Sequence, residues 1–266
     1  EMKPASFSPA HQNPDLAELI CSNSLKAERI DSAAGLLKEE MRRMGSITMQ
    51  AAQTCRVEAG GALAVDRDLF SNEVTRLIEQ NPNITLHRER VDQIPDGTCV
   101  IAAGPLCDGK LAESIKNLCG NGLSFFDAVA PIVTADSVDL SKAFFASRYG
   151  KGGDDYLNCP MNKAQYEAFW DALVTAETAP LHEFDQNPTV YEGCMPVEVL
   201  AKRGKDAIRF GPLKPVGLND PNTGHRPWAA VQLRAENRDK TLFNLVGFQT
   251  NLKFPEQKRV FSMIPG

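Results

Sequence analysis

The chain has 266 residues, of which 42% are hydrophobic and 24% are charged, and its net charge is −5. This is the composition of a globular chain with one large domain or two smaller ones. No apolar run approaches the roughly 20 residues of a membrane-spanning helix. The seven cysteines form no C-x-x-C pair and the four histidines are sparse, so no metal site is predicted. Scattered cysteines and a polar start without a secretory signal favour a reducing cytoplasm.

The charge is unevenly distributed along the chain. From Pro196 onward there are 12 Lys and Arg against 6 Asp and Glu, or +6, while the remainder has 17 against 28, or −11. A basic final quarter on an acidic chain indicates an anionic partner, such as RNA or a phosphorylated cofactor. Solvated surface lysines are the alternative, because no long run of basic residues occurs.

Helix and strand patterns alternate in the first 105 residues. A helix is predicted over residues 32–44, before Gly45. A second helix begins at Asp66 or Asp68, each of which is a good N-cap. The predicted strands are two short ones around Gly60-Gly61, then residues 84–91, and then the apolar run at 98–106. This alternation predicts an α/β layer.

The later part of the chain mixes helices with separate strands. Its best helix pattern is residues 161–177, where Tyr166, Phe169, Trp170 and Leu173 predict a core-facing stripe. Helices are also predicted at residues 107–120 and 255–264. Strands are predicted at residues 207–213, 228–236 and 241–248, the last two forming a hairpin.

The stretch "TVYEGCMPVEVLAKRG" places a cysteine just before a predicted short helix. Pro196 and Glu198 suit the first turn of that helix, Val199 lies on its apolar face, and Gly204 is a plausible C-cap. Cys194 would then lie beside unpaired N–H groups, a setting that favours the reactive thiolate. The alternative is a small, buried and unreactive thiol.

Eight segments, in order along the chain, resemble the folate- and FAD-dependent tRNA (uracil-5-)-methyltransferases, the TrmFO family. They are "ELICSNSLKAE", "EAGGALAVDRDLFS", "CVIAAGPL", "FFDAVAPIVTADSVD", "SRYGKGGDDYLNCPMNK", "YEGCMPVEVLAKRG", "RFGPLKPVGL" and "LVGFQTNLKFPEQKRVFSMIPG". The resemblance implies an α/β fold: an incomplete FAD-binding domain, Rossmann-like and of the glutathione-reductase type, with an inserted α+β domain. Residues 1–105 would belong to the first. Residues 106–266 would form mainly the second, which faces tRNA, with the end leading back to the FAD domain.

The resemblance also implies a reaction. The family methylates carbon 5 of the T-loop uridine of tRNA, with methylenetetrahydrofolate as carbon donor, reduced FAD as reductant and NAD(P)H to replenish the flavin. The implied partners are the tRNA T arm and folate, with no DNA and no membrane. Because carbon 5 of uracil is a poor nucleophile, a thiolate must first add to carbon 6. The resemblance assigns Cys194 to that addition and Cys21 to proton removal or to a place against the flavin, with a packed thiol as the alternative for Cys21.

Further residues are implied to bind the cofactor or RNA. The cofactor set is Glu1, Asp66, Arg67, Gly104 and Pro105. Helix capping is the alternative for Asp66, and a tight turn is the alternative for Gly104-Pro105. The set for the tRNA backbone is Lys151, Lys202, Arg203, Lys205, Arg209 and Lys214. A mobile loop, helix ends and strand edges are the alternatives for these basic residues.

The sequence departs from the family in one respect. No G-x-G-x-x-G turn, which would cradle the FAD pyrophosphate at a helix N-terminus, occurs in it. We therefore expect a piece of a longer enzyme that is inactive alone and binds FAD weakly or not at all. Two rival functions stay open: a flavoprotein that modifies the tRNA wobble uridine, and a non-catalytic RNA-binding fragment.

Overall fold

Two antiparallel sheets organise the chain. The structure, a computed structural model, describes residues 1–8, 10–104, 107, 109–120, 130–150, 152–180 and 195–266. The small sheet has the order β1-β3-β2, with β1 Ser24–Ala27, β2 Arg56–Val57 and β3 Ala62–Val65. The large sheet has the order β4-β8-β7-β6-β5, with β4 Ile132–Thr134, β5 Phe144–Phe145, β6 Tyr156–Met161, β7 Ala229–Ala235 and β8 Leu242–Leu245.

Three helices accompany the small sheet: α1 Ala33–Arg43, α2 Ile47–Thr54 and α3 Arg67–Glu79. Ser32 caps α1 by accepting a hydrogen bond from the Gly35 N–H, and Asp66 caps α3 by accepting one from the Leu69 N–H. Leu63 and Phe70 lie in the apolar core between this sheet and its helices. The predicted helix before Gly45 and the cap at Asp66 are confirmed, whereas α2 was not predicted.

The cap at Asp66 gives a first testable prediction. Asp66→Ala removes the side-chain acceptor of the Leu69 N–H, so the free energy of unfolding should fall by about 1 kcal/mol. Asp66→Asn is the matched control, because asparagine caps as well as aspartate and should leave stability almost unchanged. Urea denaturation measures both; equal losses in the two variants would show that the charge, and not the cap, stabilises this position.

The large sheet has one apolar face, which follows from the alternation of side chains along β6 and β7. Leu157 pairs with Leu233, and both are buried against α5 Lys163–Val174, whose Phe169 is fully buried. The other helices around this sheet are α6 Val197–Ala201, α7 Ala207–Phe210 and α8 Phe254–Phe261. Burying each large side chain contributes about 1.5–3 kcal/mol, which makes this the main core of the chain. The predicted core stripe, hairpin and closing helix are confirmed.

The opposite face of the large sheet is polar and packs against the small sheet. Tyr156 donates from its hydroxyl to the Ala59 carbonyl at 3.1 Å, and the Gly60 N–H donates to the Asp155 carboxylate at 2.6 Å. Gly152 has φ +92°, and a Cβ there would lie 2.8 Å from the Gly60 Cα. Only glycine therefore permits this close approach of the two backbones.

Two predicted strands are absent from the described residues. Residues 84–91 and 98–104 have no strand structure, and Val100 is 91% exposed. An apolar run becomes a strand only where a neighbouring strand supplies its hydrogen bonds, and no described residue does so here. The strand predicted at 207–213 is also wrong, because α7 is a short helix followed by a turn that the Leu213 N–H closes onto the Ile208 carbonyl.

Further sequence predictions concern the layout of the chain. Helix α4 Gly109–Cys119 confirms the helix predicted at 107–120. The predicted domain boundary near residue 105 falls between the strands of the two sheets, and the boundary itself stays a prediction. Among the described residues, no helix combines the length and apolarity needed to cross a bilayer.

Candidate active-site loop

The loop that contains Cys21 lies where the two sheets meet. We call residues 19–23 the Cys21 loop; it leads directly into β1. Asn23 is fully buried and donates from its side chain to the Val65 carbonyl at 3.1 Å and to the Ala235 carbonyl at 3.0 Å. One side chain therefore links the loop to both sheets, while Cys21 itself is exposed. The alternative of a packed thiol at Cys21 is wrong.

Two arginines hold the Cys21 loop, one through the residues before Cys21 and the other through the residues after it. Arg67, the first residue of α3, donates from Nη1 to the carbonyls of Leu19 at 2.6 Å and Ile20 at 2.8 Å. On β7, Arg234 donates from Nη2 to the Ser22 hydroxyl and from Nε to the Asn23 side-chain oxygen, both at 2.8 Å. The residues on either side of Cys21 are thus fixed by side chains distant in sequence.

The electrostatics of this loop are set by buried charges. Arg234 is 6% exposed, and burial lowers the pKa of its guanidinium from the ordinary value, since the charged form loses its water. Tyr156, Glu236 and Cys21 act in the opposite direction, and the positive charge of Arg67 adds to the lowering. Glu236 is 4% exposed and pairs with Arg67 at 2.5 Å. A cluster of two cations and one anion therefore lies beside the loop.

Cys21 also contacts the segment that follows β8. The Gln249 side-chain amide lies 3.9 Å from the Cys21 sulfur, and the Gln249 carbonyl accepts the Val197 N–H at 2.7 Å. Glu198, 1% exposed, fixes the same segment to α6 by accepting bonds from the Thr250 hydroxyl and the Asn251 N–H, each at 2.8 Å. The structure thus brings the start of α6 next to the Cys21 loop.

Cys194 lies outside the described residues. It is three positions before Val197, a span of at most about 11 Å of chain. Helix α6 is shorter than the sequence predicted: it has five residues and ends at Ala201, so Gly204 is not its C-cap. Its buried side is also different, because Glu198 is buried and Val199 is 41% exposed. The Val197 N–H, which the sequence predicts to be unpaired, donates a hydrogen bond to the Gln249 carbonyl.

In the part of the chain that the structure describes, no contact brings together the residues assigned to cofactor binding. The Glu1 carboxylate is exposed and accepts the Lys3 N–H at 3.0 Å. Gly104 has φ +73° and open space where a Cβ would stand, which fits close approach of a ligand to backbone. Asp66 and Arg67 bind the chain's own groups, although Arg67 Nη2 is buried without a partner in the described part of the chain. Pro105 lies outside the described residues.

A cavity of about 690 Å³ opens between the two sheets, and none of the residues assigned to the cofactor is among its lining residues. Its lining includes Gly60, Gly61 and Gly152, together with Arg29 and Arg148. Burial lowers the pKa of Arg148, which donates to the Pro212 carbonyl at 3.4 Å. The Arg148 Nε atom is buried with no partner within the described ranges.

The basic residues assigned to RNA lie mostly on one exposed surface. Lys202, Arg203 and Lys205 are exposed around the end of α6. Arg209 is only partly exposed: its guanidinium lies 3.9 Å from the centre of the Trp228 ring, and its Nε donates to the Trp228 carbonyl. Lys214 is half-buried. Lys151 lies outside the described residues.

Sequence reasoning missed the aromatic part of this surface. Lys205 lies 5.4 Å from the centre of the Trp170 ring, Lys163 lies 5.5 Å from that of Trp228, and Phe210 is 69% exposed. The pairing of both tryptophans of the chain with cations was not readable from spacing, since the partners are distant in sequence. We call this surface the basic-aromatic patch; it comprises Lys163, Trp170, Lys202, Arg203, Lys205, Arg209, Phe210 and Trp228.

The fold and the loop define a class of protein: a mixed α/β chain in which two antiparallel sheets meet at an exposed, firmly held cysteine. Comparison with known families matches residues 7–266 to glucose inhibited division protein A, and the chain belongs to that family. Membership confirms the predicted fold class, mixed α/β of the FAD-binding, Rossmann-like type.

Curated relatives are similar over the whole chain. Proteins named methylenetetrahydrofolate–tRNA-(uracil-5-)-methyltransferase TrmFO are 59% identical in Acetivibrio thermocellus, 60% in Geobacter sulfurreducens and 58% in Moorella thermoacetica. Each match covers 100% of this chain and 61%, 62% and 61% of the relative, respectively. The chain thus spans about three fifths of the length of these relatives, and the predicted resemblance is confirmed.

Proposed function

We propose that the chain is part of a cytoplasmic tRNA methyltransferase that converts the T-loop uridine to 5-methyluridine. The observation that carries the proposal is the exposed Cys21 in a loop held by buried residues of both sheets, in a chain about 60% identical to proteins named for this reaction. A thiol needed only for packing would be inside the core, where Cys55 and Cys159 are.

The chain's own residues would act on the uracil ring as follows. The thiolate of Cys194 forms a bond to carbon 6, and the electron pair of the carbon 5–carbon 6 double bond makes carbon 5 nucleophilic. Cys21 assists removal of the proton from carbon 5, after which the sulfur–carbon 6 bond breaks and the double bond returns. When bound, methylenetetrahydrofolate supplies the one-carbon unit, reduced FAD supplies the hydride that makes it a methyl group, and NAD(P)H restores the flavin.

The chain would supply part of the binding site for FAD. Gly104 fits the approach of a ligand to backbone, and Glu1 presents an exposed carboxylate suited to ribose hydroxyl groups. Asp66, Arg67 and Pro105 remain predictions as cofactor contacts.

The proposed RNA surface is the basic-aromatic patch. Exposed cations beside aromatic rings suit single-stranded loops, because bases stack on the rings while the cations neutralise phosphates. This surface supports tRNA as the partner. It also favours the second candidate function, an RNA-binding fragment without catalysis, which would need the patch but neither cysteine.

The patch can be tested by RNA binding. Lys205→Ala and Phe210→Ala should each weaken binding of a T-arm RNA hairpin by about fivefold to tenfold. Only the lysine variant should also flatten the slope of log affinity against log salt, by about 1. Lys116→Ala, an exposed lysine on α4, is the matched control and should bind as the unchanged chain does. Fluorescence anisotropy measures all of these; a flat salt dependence in the unchanged chain would reject the patch.

The modified nucleoside that is formed distinguishes the proposed reaction from its rival, modification of the tRNA wobble uridine. The test uses cells in which this gene is the source of ribothymidine in tRNA. In cells that carry the Cys194→Ala variant, nucleoside mass spectrometry of the tRNA should show that ribothymidine is lost. Ribothymidine at the usual level in that variant would instead favour the wobble enzyme.

A further inference from the structure

The polar face of the large sheet is more than a packing surface. Gln232 and Arg234 of β7, and Glu236 directly after it, are 4–6% exposed. They face the small sheet together with the fully buried Asn158 of β6. Burying polar and charged groups opposes folding unless every group is paired, and apolar residues would serve packing better. One Glu236 oxygen and Arg67 Nη2 have no partner in the described part of the chain. This arrangement is not the one that stability alone would favour.

The contacts of these charges converge on one loop. Arg67 and Arg234 together donate hydrogen bonds to residues 19, 20, 22 and 23, which flank Cys21 on both sides in the sequence. Glu236 pairs with Arg67 and acts electrostatically on Arg234. We propose that Arg234, Glu236 and Arg67 are positioning residues for Cys21, holding its loop rigid and setting the net positive charge beside its sulfur. This inference rests on the proposed function only for the part that Cys21 takes in the methylation reaction. The effect of the three charged residues on how fast the Cys21 thiol reacts does not depend on that function.

If the charges control the reactivity of Cys21, removing a cation and removing an anion should change its alkylation rate in opposite directions. Arg234→Met removes a cation next to the loop, so alkylation of Cys21 by iodoacetamide at pH 7 should slow by about fivefold. Glu236→Gln removes the anion with little change of shape, so alkylation should quicken by about twofold to threefold. If these residues only held the fold together, both substitutions would loosen the loop and shift the rate in the same direction.

The geometric part is tested by a conservative variant. Arg234→Lys keeps the charge but cannot bind Ser22 and Asn23 with one planar fork. It should keep an alkylation rate within about twofold of the unchanged chain, while the yield of covalent adduct with a 5-fluorouridine T-arm RNA falls by about tenfold. Arg42→Met, which changes a residue of α1 and breaks its pair with Glu28, is the control and should change neither the alkylation rate nor the adduct yield.

The experiment uses the whole chain and follows the Cys21 peptide by mass spectrometry, because other exposed cysteines also react. Thermal unfolding of each variant checks that it is folded. If Arg234→Met is not folded, Arg234→Gln replaces it, because glutamine is also neutral and can still form hydrogen bonds. Opposite shifts for Arg234→Met and Glu236→Gln support the inference; equal or same-sign shifts overturn it. Since alkylation needs no RNA, folate or flavin, its outcome is separate from the outcome of the adduct assay that tests the proposed function.

Discussion

Cys194→Ala is expected to abolish the covalent adduct between the chain and a 5-fluorouridine T-arm RNA. The proposed thiolate is the only group that forms a bond to carbon 6, and loss of a covalent nucleophile typically costs a factor of about 10³ to 10⁶ in rate. Fluorine at carbon 5 cannot leave as a proton does, so the bond to the ring persists and the adduct survives denaturing electrophoresis. FAD, NADPH and methylenetetrahydrofolate are supplied in the assay.

The control for this result is an exposed cysteine elsewhere in the chain. Cys119, at the end of α4, is exposed and far in sequence from both proposed thiols. Cys119→Ala should form adduct as the unchanged chain does. Cys21→Ala should still form the sulfur–carbon bond, at lower yield, because its proposed role follows the addition. An undiminished adduct in Cys194→Ala would show that another residue attacks the ring, and an adduct lost only in Cys21→Ala would exchange the two roles.

Phe248→Ala is expected to lower the free energy of unfolding by about 3–5 kcal/mol. Phe248 is fully buried, and its ring packs 6.2 Å from that of Phe169 and 5.6 Å from that of Phe261, measured between centroids. The substitution would leave a cavity where the large sheet, α5 and α8 meet. Because the next residue is Gln249, it should also loosen the contact between Cys21 and the start of α6.

A matched phenylalanine makes this prediction specific. Phe210 is 69% exposed, so Phe210→Ala should change the free energy of unfolding by less than about 0.5 kcal/mol. Urea denaturation followed by tryptophan fluorescence measures both variants. A loss below about 1 kcal/mol for Phe248→Ala would mean that the core between α5 and α8 collapses easily around the missing ring.

Local signals predicted much of the fold. Ser32 and Asp66 are caps whose side chains satisfy N–H groups of their own helices, so the sequence nearby was sufficient. The stripe at Tyr166, Phe169 and Leu173 was sufficient to place the core face of α5. Residues 98–104 show the limit of this reasoning, because an apolar pattern cannot state whether a partner strand is present.

The site shows the same division. The residue types and their resemblance to a family pointed to Cys21 from the sequence, and exposure of its side chain agrees with a reactive role. Arg234 and Glu236 gave no signal, because in the sequence they are only two charged residues at alternate positions at the end of a predicted strand. Their role depends on contacts between residues more than 160 positions apart in the sequence, Arg67 with Glu236 and Ser22 with Arg234.

The sequence by itself determined the class of fold, the starts of α1 and α3, the main core stripe and the family to which the chain belongs. Each of these depends on neighbours within a few residues or on a pattern shared with relatives. Only the tertiary structure decided which charges are buried, which loop they hold and where the tryptophans meet cations. Those features depend on free energies of desolvation and pairing that exist only once distant segments are brought together.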